Sequence, residues 1–172
     1  MRVLVTGGAG FIGSHLSRSL LDAGHEVVVV DNLSTGKHEN VPEGAEFLEL
    51  DLARPGFLSE MPNGKFGAVC HLAAQSAGAL SAEKPLYDLQ VNAASTLLLS
   101  RWCLEQGVSR FLYASSMVIY GNVETVPVTE TTPCVPRSYY GVSKLTSEHL
   151  LRLAAADGLS VTSFRMFSVY GP

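Results

Sequence analysis

Apolar residues fall along this chain in short unbroken runs, separated by stretches in which they recur every three or four positions. That alternation of strand and helix signals builds a parallel sheet. The first run, Val3-Leu4-Val5, meets a glycine-dense turn, after which Ile12, Leu16 and Leu20 share one helical face. Ala23-Gly24-His25 stops that helix, with Gly24 as its cap. Val27 to Val30 is β-branched throughout and ends in Asp31, the pattern of a strand covered on both faces. Phe47 to Leu52 and Phe66 to Leu72 predict a third and a fourth strand. Leu86 to Gln106 reads as one long helix, with Pro85 at its start and Gly107 past its end. Phe111 to Ala114 begins a fifth strand that runs into Ser115-Ser116. Residues 117–137 carry neither period, and a loop of that length after a strand's carboxyl end is placed to line a site. Tyr139 to Ala156 predicts a helix closed by Asp157-Gly158, and Val161 to Met166 a sixth strand. The pattern predicts one α/β domain over residues 1–172, a doubly wound parallel sheet with helices on both faces.

Composition agrees. A chain of 172 residues that is 47% hydrophobic can bury one sizeable core, and a mean hydropathy of +0.21 suits a sheet covered on both sides. Twelve basic against 16 acidic residues leave a net charge of −4 with no basic run, so neither nucleic acid nor an anionic membrane surface is an expected partner. No segment approaches the ~20 apolar residues of a membrane span. The chain opens directly into a strand, which leaves no room for a signal peptide. Cys70, Cys103 and Cys134 are an odd, scattered set that suits a reducing cytoplasm. His15, His25, His38, His71 and His149 show no ligand spacing together or with the cysteines, so no metal is expected.

The candidate chemistry begins with Gly7, Gly10 and Gly13, spaced Gly-x-x-Gly-x-x-Gly between a strand and a helix. Gly7 allows a tight turn, Gly10 lets backbone approach a pyrophosphate, and Gly13 lets the helix pack on the strand. Bare amides and the positive end of the helix dipole suit a dinucleotide phosphate there. Asp31 follows Gly13 by 18 residues, close to the ~20 expected of an acidic residue on an adenosine ribose. A carboxylate at that place accepts from both ribose hydroxyls and repels a 2′-phosphate, which favours NAD over NADP. Asp51 either touches the adenine edge or caps the next helix. Ala73 and Ala74 are small enough for a cofactor to lie against backbone. For Asn92, in the apolar part of the long helix, a core hydrogen bonder is favoured over a site group. Tyr140 and Lys144 are four apart on a helix and share a face. A nearby ammonium lowers a phenol's pKa and makes it a general base, and Ser116 could hydrogen bond the same oxygen.

Six stretches occur in order: Thr6-Gly-Gly-Ala-Gly-Phe-Ile-Gly-Ser-His-Leu16, Asp31-Asn-Leu-Ser-Thr-Gly36, His71-Leu-Ala-Ala-Gln75, Ser115-Ser-Met-Val-Ile-Tyr-Gly121, Tyr140-Gly-Val-Ser-Lys144 and Arg165-Met-Phe-Ser-Val-Tyr-Gly-Pro172. In this the chain resembles the extended short-chain dehydrogenase/reductase family, above all its nucleotide-sugar epimerases and dehydratases. The resemblance implies a Rossmann-type fold and a catalytic trio of Ser116, Tyr140 and Lys144. It implies NAD held by Gly7, Gly10, Phe11, Ile12 and Gly13, by Asp31, Asn32, Ser34, Thr35 and Gly36, and by Asp51 and Leu52. Leu72, Ala73, Ala74 and Gln75 would follow, then Asn92, Ser115 and Phe167, with Tyr140 and Lys144 themselves. It also implies a UDP- or dTDP-hexose as substrate and a homodimer paired through the two long helices. Relatives continue into a carboxyl-terminal lobe for the nucleotide and sugar, which is absent from this chain.

Three departures matter. Family dehydratases carry Asp-Glu where this chain has Met117-Val118, so water elimination lacks its acid–base pair and 4-epimerisation is the better reading. Ser168 stands for a frequent asparagine, and Ser95 for a common glycine. The alternatives are a non-catalytic NAD-binding module and an NAD-dependent reductase of nucleotide-linked keto sugars.

Overall fold

The computed structural model describes residues 1–124 and 126–171; Thr125, within the predicted 117–137 loop, and Pro172, at the end of the last stretch, lie outside the described residues. Six strands form one sheet: β1 (Arg2–Thr6), β2 (Glu26–Asp31), β3 (Glu46–Glu49), β4 (Ala68–His71), β5 (Arg110–Ser116) and β6 (Ser160–Met166). Their order is β3-β2-β1-β4-β5-β6 and every pairing is parallel. The chain therefore reverses its direction of winding between β1 and β4. In open sheets of this kind the carboxyl ends at that point form a binding crevice.

Alternation along the strands sorts the core into two layers. Val3, Val5, Val27, Val29, Ala68 and Cys70 meet Leu16, Leu20 and Leu21 of helix α1 (Phe11–Asp22). Leu4, Val28, Val30, Val69, Phe111 and Tyr113 point the other way, onto Phe57, Leu99, Trp102 and Leu151. Leu99 and Trp102 belong to α4 (Ser95–Glu105), and Leu151 to α5 (Tyr139–Ala156). Each large side chain so buried contributes roughly 1.5–3 kcal/mol. The first layer is the thinner: Thr162 and Phe164 of β6 face solvent on that side.

Helix α1 stops where its sequence says. Gly24 takes φ +79°, its amide bonds Leu21 O at 2.8 Å, and the His25 amide bonds Leu20 O at 3.0 Å. Three features differ from the sequence reading. Strands β3 and β4 are shorter, because Leu50 to Leu52 leave the ladder to wall the crevice and Phe66 turns into the core. A short helix, α2 (Gly78–Glu83), occupies a stretch whose small residues carry no apolar stripe. The long helix is three pieces: α3 (Pro85–Leu89), a π turn at Gln90–Ala94, and α4. At that turn the Asn92 carbonyl accepts from Thr96 Oγ1 at 2.6 Å and Ser147 Oγ at 3.0 Å. Ser95, in place of a glycine, sends its hydroxyl back to the Val91 carbonyl within the same turn. Wide turns of this kind tend to mark functional sites.

Candidate functional site

The crevice is built on the turn after β1. Gly7 has φ +71°, and a Cβ there would lie 2.6 Å from the Ala73 amide nitrogen, so only glycine lets β1 and β4 end side by side. A Cβ on Gly13 would lie 2.2 Å from Gly7 O, which is how close helix α1 comes to the turn. Gly10 precedes α1 in extended conformation with no side-chain cap, so the first helical amides have no partner of their own. Around a Cβ on Gly10 the protein offers only Gly7 O, at 3.3 Å. The rest of that space belongs to a cleft of about 490 Å³. Backbone amides, the positive end of a helix and a missing side chain fit a pyrophosphate.

Asp31 closes one end of the cleft, nearly buried. Its Oδ2 accepts from the Ala9 amide at 3.0 Å and its Oδ1 from the Leu33 amide at 2.9 Å. Asn32 Oδ1 accepts from the Ser34 amide at 3.0 Å. Leu33 between them is held at φ +55°, a left-handed conformation that costs an aliphatic side chain of order 1 kcal/mol or more. The aspartate thus organises both the glycine turn and the turn after β2, with lone pairs left over for a ligand. Asn32, Ser34 and Thr35 face the cleft with it. Gly36 lies behind, where a Cβ would meet the Ala9 carbonyl carbon at 2.8 Å. Asp51 caps no helix, the next helical turn being capped at Gly56; its Oδ1 accepts from the Ala53 amide at 2.9 Å, and the residue borders the cleft beside Leu52.

Leu72, Ala73, Ala74 and Gln75 form the floor after β4. Beneath them His71 is buried, its pKa pushed down to about 3 by burial and then by the Lys144 charge. Thr96 Oγ1 gives its proton to Asn92 O, so it accepts from His71 Nε2 at 3.0 Å, and Nδ1 accepts from Thr6 Oγ1 at 2.7 Å. This neutral imidazole ties β1 to α4 across the point where the sheet reverses. Asn92 sits behind the floor, not in it. It holds both polar groups of the Gln75 backbone, Oδ1 accepting at 2.9 Å and Nδ2 donating at 3.0 Å, and also donates to Ser143 Oγ at 3.0 Å. Asp88, fully buried, accepts from Ser143 Oγ and from Gln75 Nε2.

Tyr140 and Lys144, one turn apart on α5, face the far end of the cleft. Ser138 caps this helix, accepting from the Gly141 amide at 3.0 Å. Lys144 is buried; its Nζ donates to Ala114 O at 2.8 Å and lies 4.8 Å from the Tyr113 ring centroid and 5.8 Å from that of Tyr140. Burial pushes its pKa down to about 7, against the opposing pull of Asp88. The Tyr140 phenol is held above its ordinary value by burial, while the Ser116 hydroxyl pulls it down and Asp88 pushes it up. Sequence reasoning expects a phenol lowered by its lysine. In the fold, burial sets the direction for both groups: it raises the phenol and lowers the lysine.

Ser115 and Ser116 point to opposite faces of β5. Ser115 borders the cleft but donates its hydroxyl to Glu148 Oε1 at 2.6 Å; Ser116 stands off the cleft lining, its Oγ accepting from the Val118 amide at 3.4 Å, and its hydroxyl lowers the Tyr140 phenol. Phe167 is 56% exposed and stands off the cleft wall. Ser76, Ala77, Leu80, Tyr87 and Val91 join the wall without having been singled out in sequence. Ser76 and Ala77 precede α2, and the others come from α2, α3 and the π turn. Among the described residues no group of three or more His, Cys, Asp or Glu side chains could hold a metal ion, and no helix is long and apolar enough to cross a membrane.

Residues 3–172 match the model of the NAD dependent epimerase/dehydratase family. The chain belongs to that family. A UDP-glucose 4-epimerase of Azospirillum brasilense is 41% identical over 99% of this chain and 49% of its own length. Among solved structures, the Thermotoga maritima UDP-glucose 4-epimerase with UDP-glucose superposes with a TM-score of 0.93 at 38% identity, covering 100% of this chain and 57% of that one. The Thermus thermophilus UDP-glucose 4-epimerase in complex with NAD gives 0.88 at 42% identity, over 96% of this chain and 54% of that one. The chain spans about half the length of the curated relatives it matches. Its fold is therefore held in common with those 4-epimerases, over the half of them that it covers.

Proposed function

We propose that these residues are the NAD-binding, proton-handling half of a nucleotide-sugar 4-epimerase of the UDP-glucose/UDP-galactose type, acting through a 4-keto sugar. The observation that carries the reading is Tyr140 with Lys144, one helical turn apart, on the wall of a cleft that also holds a phosphate-suited glycine turn and Asp31. Bound NAD would supply a hydride acceptor and a positive ring charge. The chain would hold its pyrophosphate on the amides of Phe11, Ile12 and Gly13, its adenosine ribose on Asp31 and its nicotinamide end near Lys144. Tyr140 Oη takes the proton of the sugar 4-hydroxyl as the hydride leaves C4, and gives it back to the 4-oxygen as the hydride returns to the other face of C4 in the turned keto sugar. Ser116 shares that proton. Lys144 stabilises the phenolate, and a cation at the nicotinamide position adds to it, offsetting the upward push of burial.

Two observations weigh against other readings. Met117 and Val118 lie in the turn after β5 and bring no acid–base group, so elimination of water has no catalyst there. A module that only bound NAD would have no use for a serine hydroxyl that lowers the phenol of Tyr140. A keto-sugar reductase uses the same trio but consumes reduced cofactor in proportion to product. The exposed stripes on α4 and α5 support a homodimer, and the free Cys70, Cys103 and Cys134 support a cytoplasmic setting.

The test is Tyr140→Phe in the full-length polypeptide that carries these residues, with UDP- and dTDP-hexoses. The variant is expected to bind NAD within threefold of the parent and to show no transient reduced-nicotinamide absorbance, with turnover down by at least ~100-fold. Turnover within threefold of the parent, below ~1 kcal/mol of barrier, would remove the phenol as base.

A further inference from the structure

Arg165 lies next to the end of β6 and spreads its guanidinium over three other parts of the chain. Its Nε and Nη2 donate to Glu148 Oε1 and Oε2 on α5, at 3.1 and 2.8 Å, in a forked pair. Its Nη1 donates to the Tyr120 hydroxyl at 3.1 Å and to the Glu130 carbonyl at 2.9 Å. The guanidinium carbon stands 5.1 Å from the Tyr120 ring centroid. Tyr120 ends the 3₁₀ turn that directly follows Ser116, and Glu130 lies midway along the 117–137 loop. Glu148 is one helical turn beyond Lys144, and its Oε1 also accepts the Ser115 hydroxyl. Neither member of the pair borders the cleft.

The pair is well buried, the side chains 15% and 4% exposed. Burial alone would push the Glu148 carboxyl up, but the hydrogen bonds from Arg165 and Ser115 outweigh it and hold the carboxyl below its ordinary value. A buried ion pair is often worth no more to stability than an apolar pair of the same shape, so its presence is poorly explained by stability alone. What a forked guanidinium offers is geometry. It fixes direction as well as distance at every partner, which lysine cannot do.

We infer that Arg165 is a positioning residue: it clamps the 117–137 loop and the Ser115–Ser116 strand end onto α5, and so keeps Ser116 opposite Tyr140. The consequence for catalysis rests on the assignment of Tyr140 and Ser116 above; the clamp on the loop does not.

The experiment compares Arg165→Met and Arg165→Lys with the parent chain, by backbone amide hydrogen exchange, calorimetric NAD titration and the titration of ¹³C-labelled Tyr140. In Arg165→Met, exchange within residues 118–136 is expected to rise at least tenfold while β1 and α1 stay within twofold, and NAD affinity stays within threefold. The Tyr140 titration moves to higher pH, since the hydroxyl that lowers it drifts away. Arg165→Lys falls between the two. If Arg165→Met does not fold, Arg165→Met combined with Glu148→Leu removes both charges and is expected to show the same loosened loop. Loop exchange within twofold of the parent, or an unmoved Tyr140 titration, overturns the proposal. Full turnover by Tyr140→Phe would remove the base instead, and leave the loop result standing.

Discussion

Lys144 is where this site costs the fold most. Its ammonium has one carbonyl partner, two aromatic faces and a distant carboxylate in exchange for water, and its pKa falls from 10.5 to about 7. Below pH 7 the folded and unfolded chains both carry the proton, and the desolvation cost is fully present. Between pH 7 and 10.5 the unfolded chain binds more protons than the folded one, so stability rises with pH across that window. The whole shift corresponds to ~5 kcal/mol. Lys144→Met, of similar length and uncharged, is therefore expected to be more stable than the parent at pH 6.5, with the difference shrinking steadily towards pH 10. Urea unfolding of both chains across that range is the measurement; a pH-independent difference would mean the lysine is not desolvated as described. Asp31 presents a different trade. Its two backbone amides hold the turns, so Asp31→Ala would disturb the cleft as well as its charge. Asp31→Asn keeps the volume and one of the two amide contacts, its NH2 being unable to accept the other, and removes the repulsion towards a 2′-phosphate. We expect the preference for NAD over NADP to fall at least tenfold in that variant, read as the ratio of two calorimetric Kd values. Equal affinity of the parent for both cofactors would sink the role.

The elements divide by where their information lies. β1, its turn and α1 are legible because strand, turn and helix each carry a local signal: an apolar run, glycines at fixed offsets, a four-residue recurrence. Helix α5 agrees with its sequence span at both ends because Ser138 caps it and Asp157-Gly158 cannot continue it. Helix 86–106 is legible as a length but not as a shape. Its π turn exists because Asn92 bonds the Gln75 backbone on one side and Ser143 and Ser147 on the other. Those partners are between 17 and 55 residues away in sequence, and no window along the helix contains them. The same holds for α2, whose six residues show no stripe yet bring Leu80 to the cleft. Site residues follow the same rule. Gly7, Asp31, Tyr140 and Lys144 announce themselves by spacing. His71 and Asp88 do not, because what distinguishes them is burial and neighbours from other elements. The 117–137 loop reads as featureless in sequence, since Arg165 enters it from a strand 35 residues beyond Glu130.

At the scale of the molecule, the helices on one side of the sheet have two faces with work to do. One packs on β1, β4 and β5 through Leu99, Trp102 and Leu151. The other is open. Leu97 and Leu98 of α4 are 37% and 40% exposed, and Val142 and Leu153 of α5 are 43% and 66% exposed. On α5 the outward residues Val142, His149 and Leu153 fall at helical spacing, two of them apolar, on one exposed face. The proposed homodimer would pair these stripes about a two-fold axis and place four helices together. An acidic residue there meets its own copy across the axis, so the two charges repel in an interface that excludes water. Leu98→Glu combined with Leu153→Glu is therefore expected to turn a dimer at micromolar concentration into a monomer. NAD affinity should stay within threefold, because neither residue borders the cleft. Sedimentation velocity reads the first outcome and calorimetry the second. A parent chain that sediments only as a monomer at that concentration would show that the stripe serves some other contact, and a double variant that remains dimeric would place the two-fold axis on a different face.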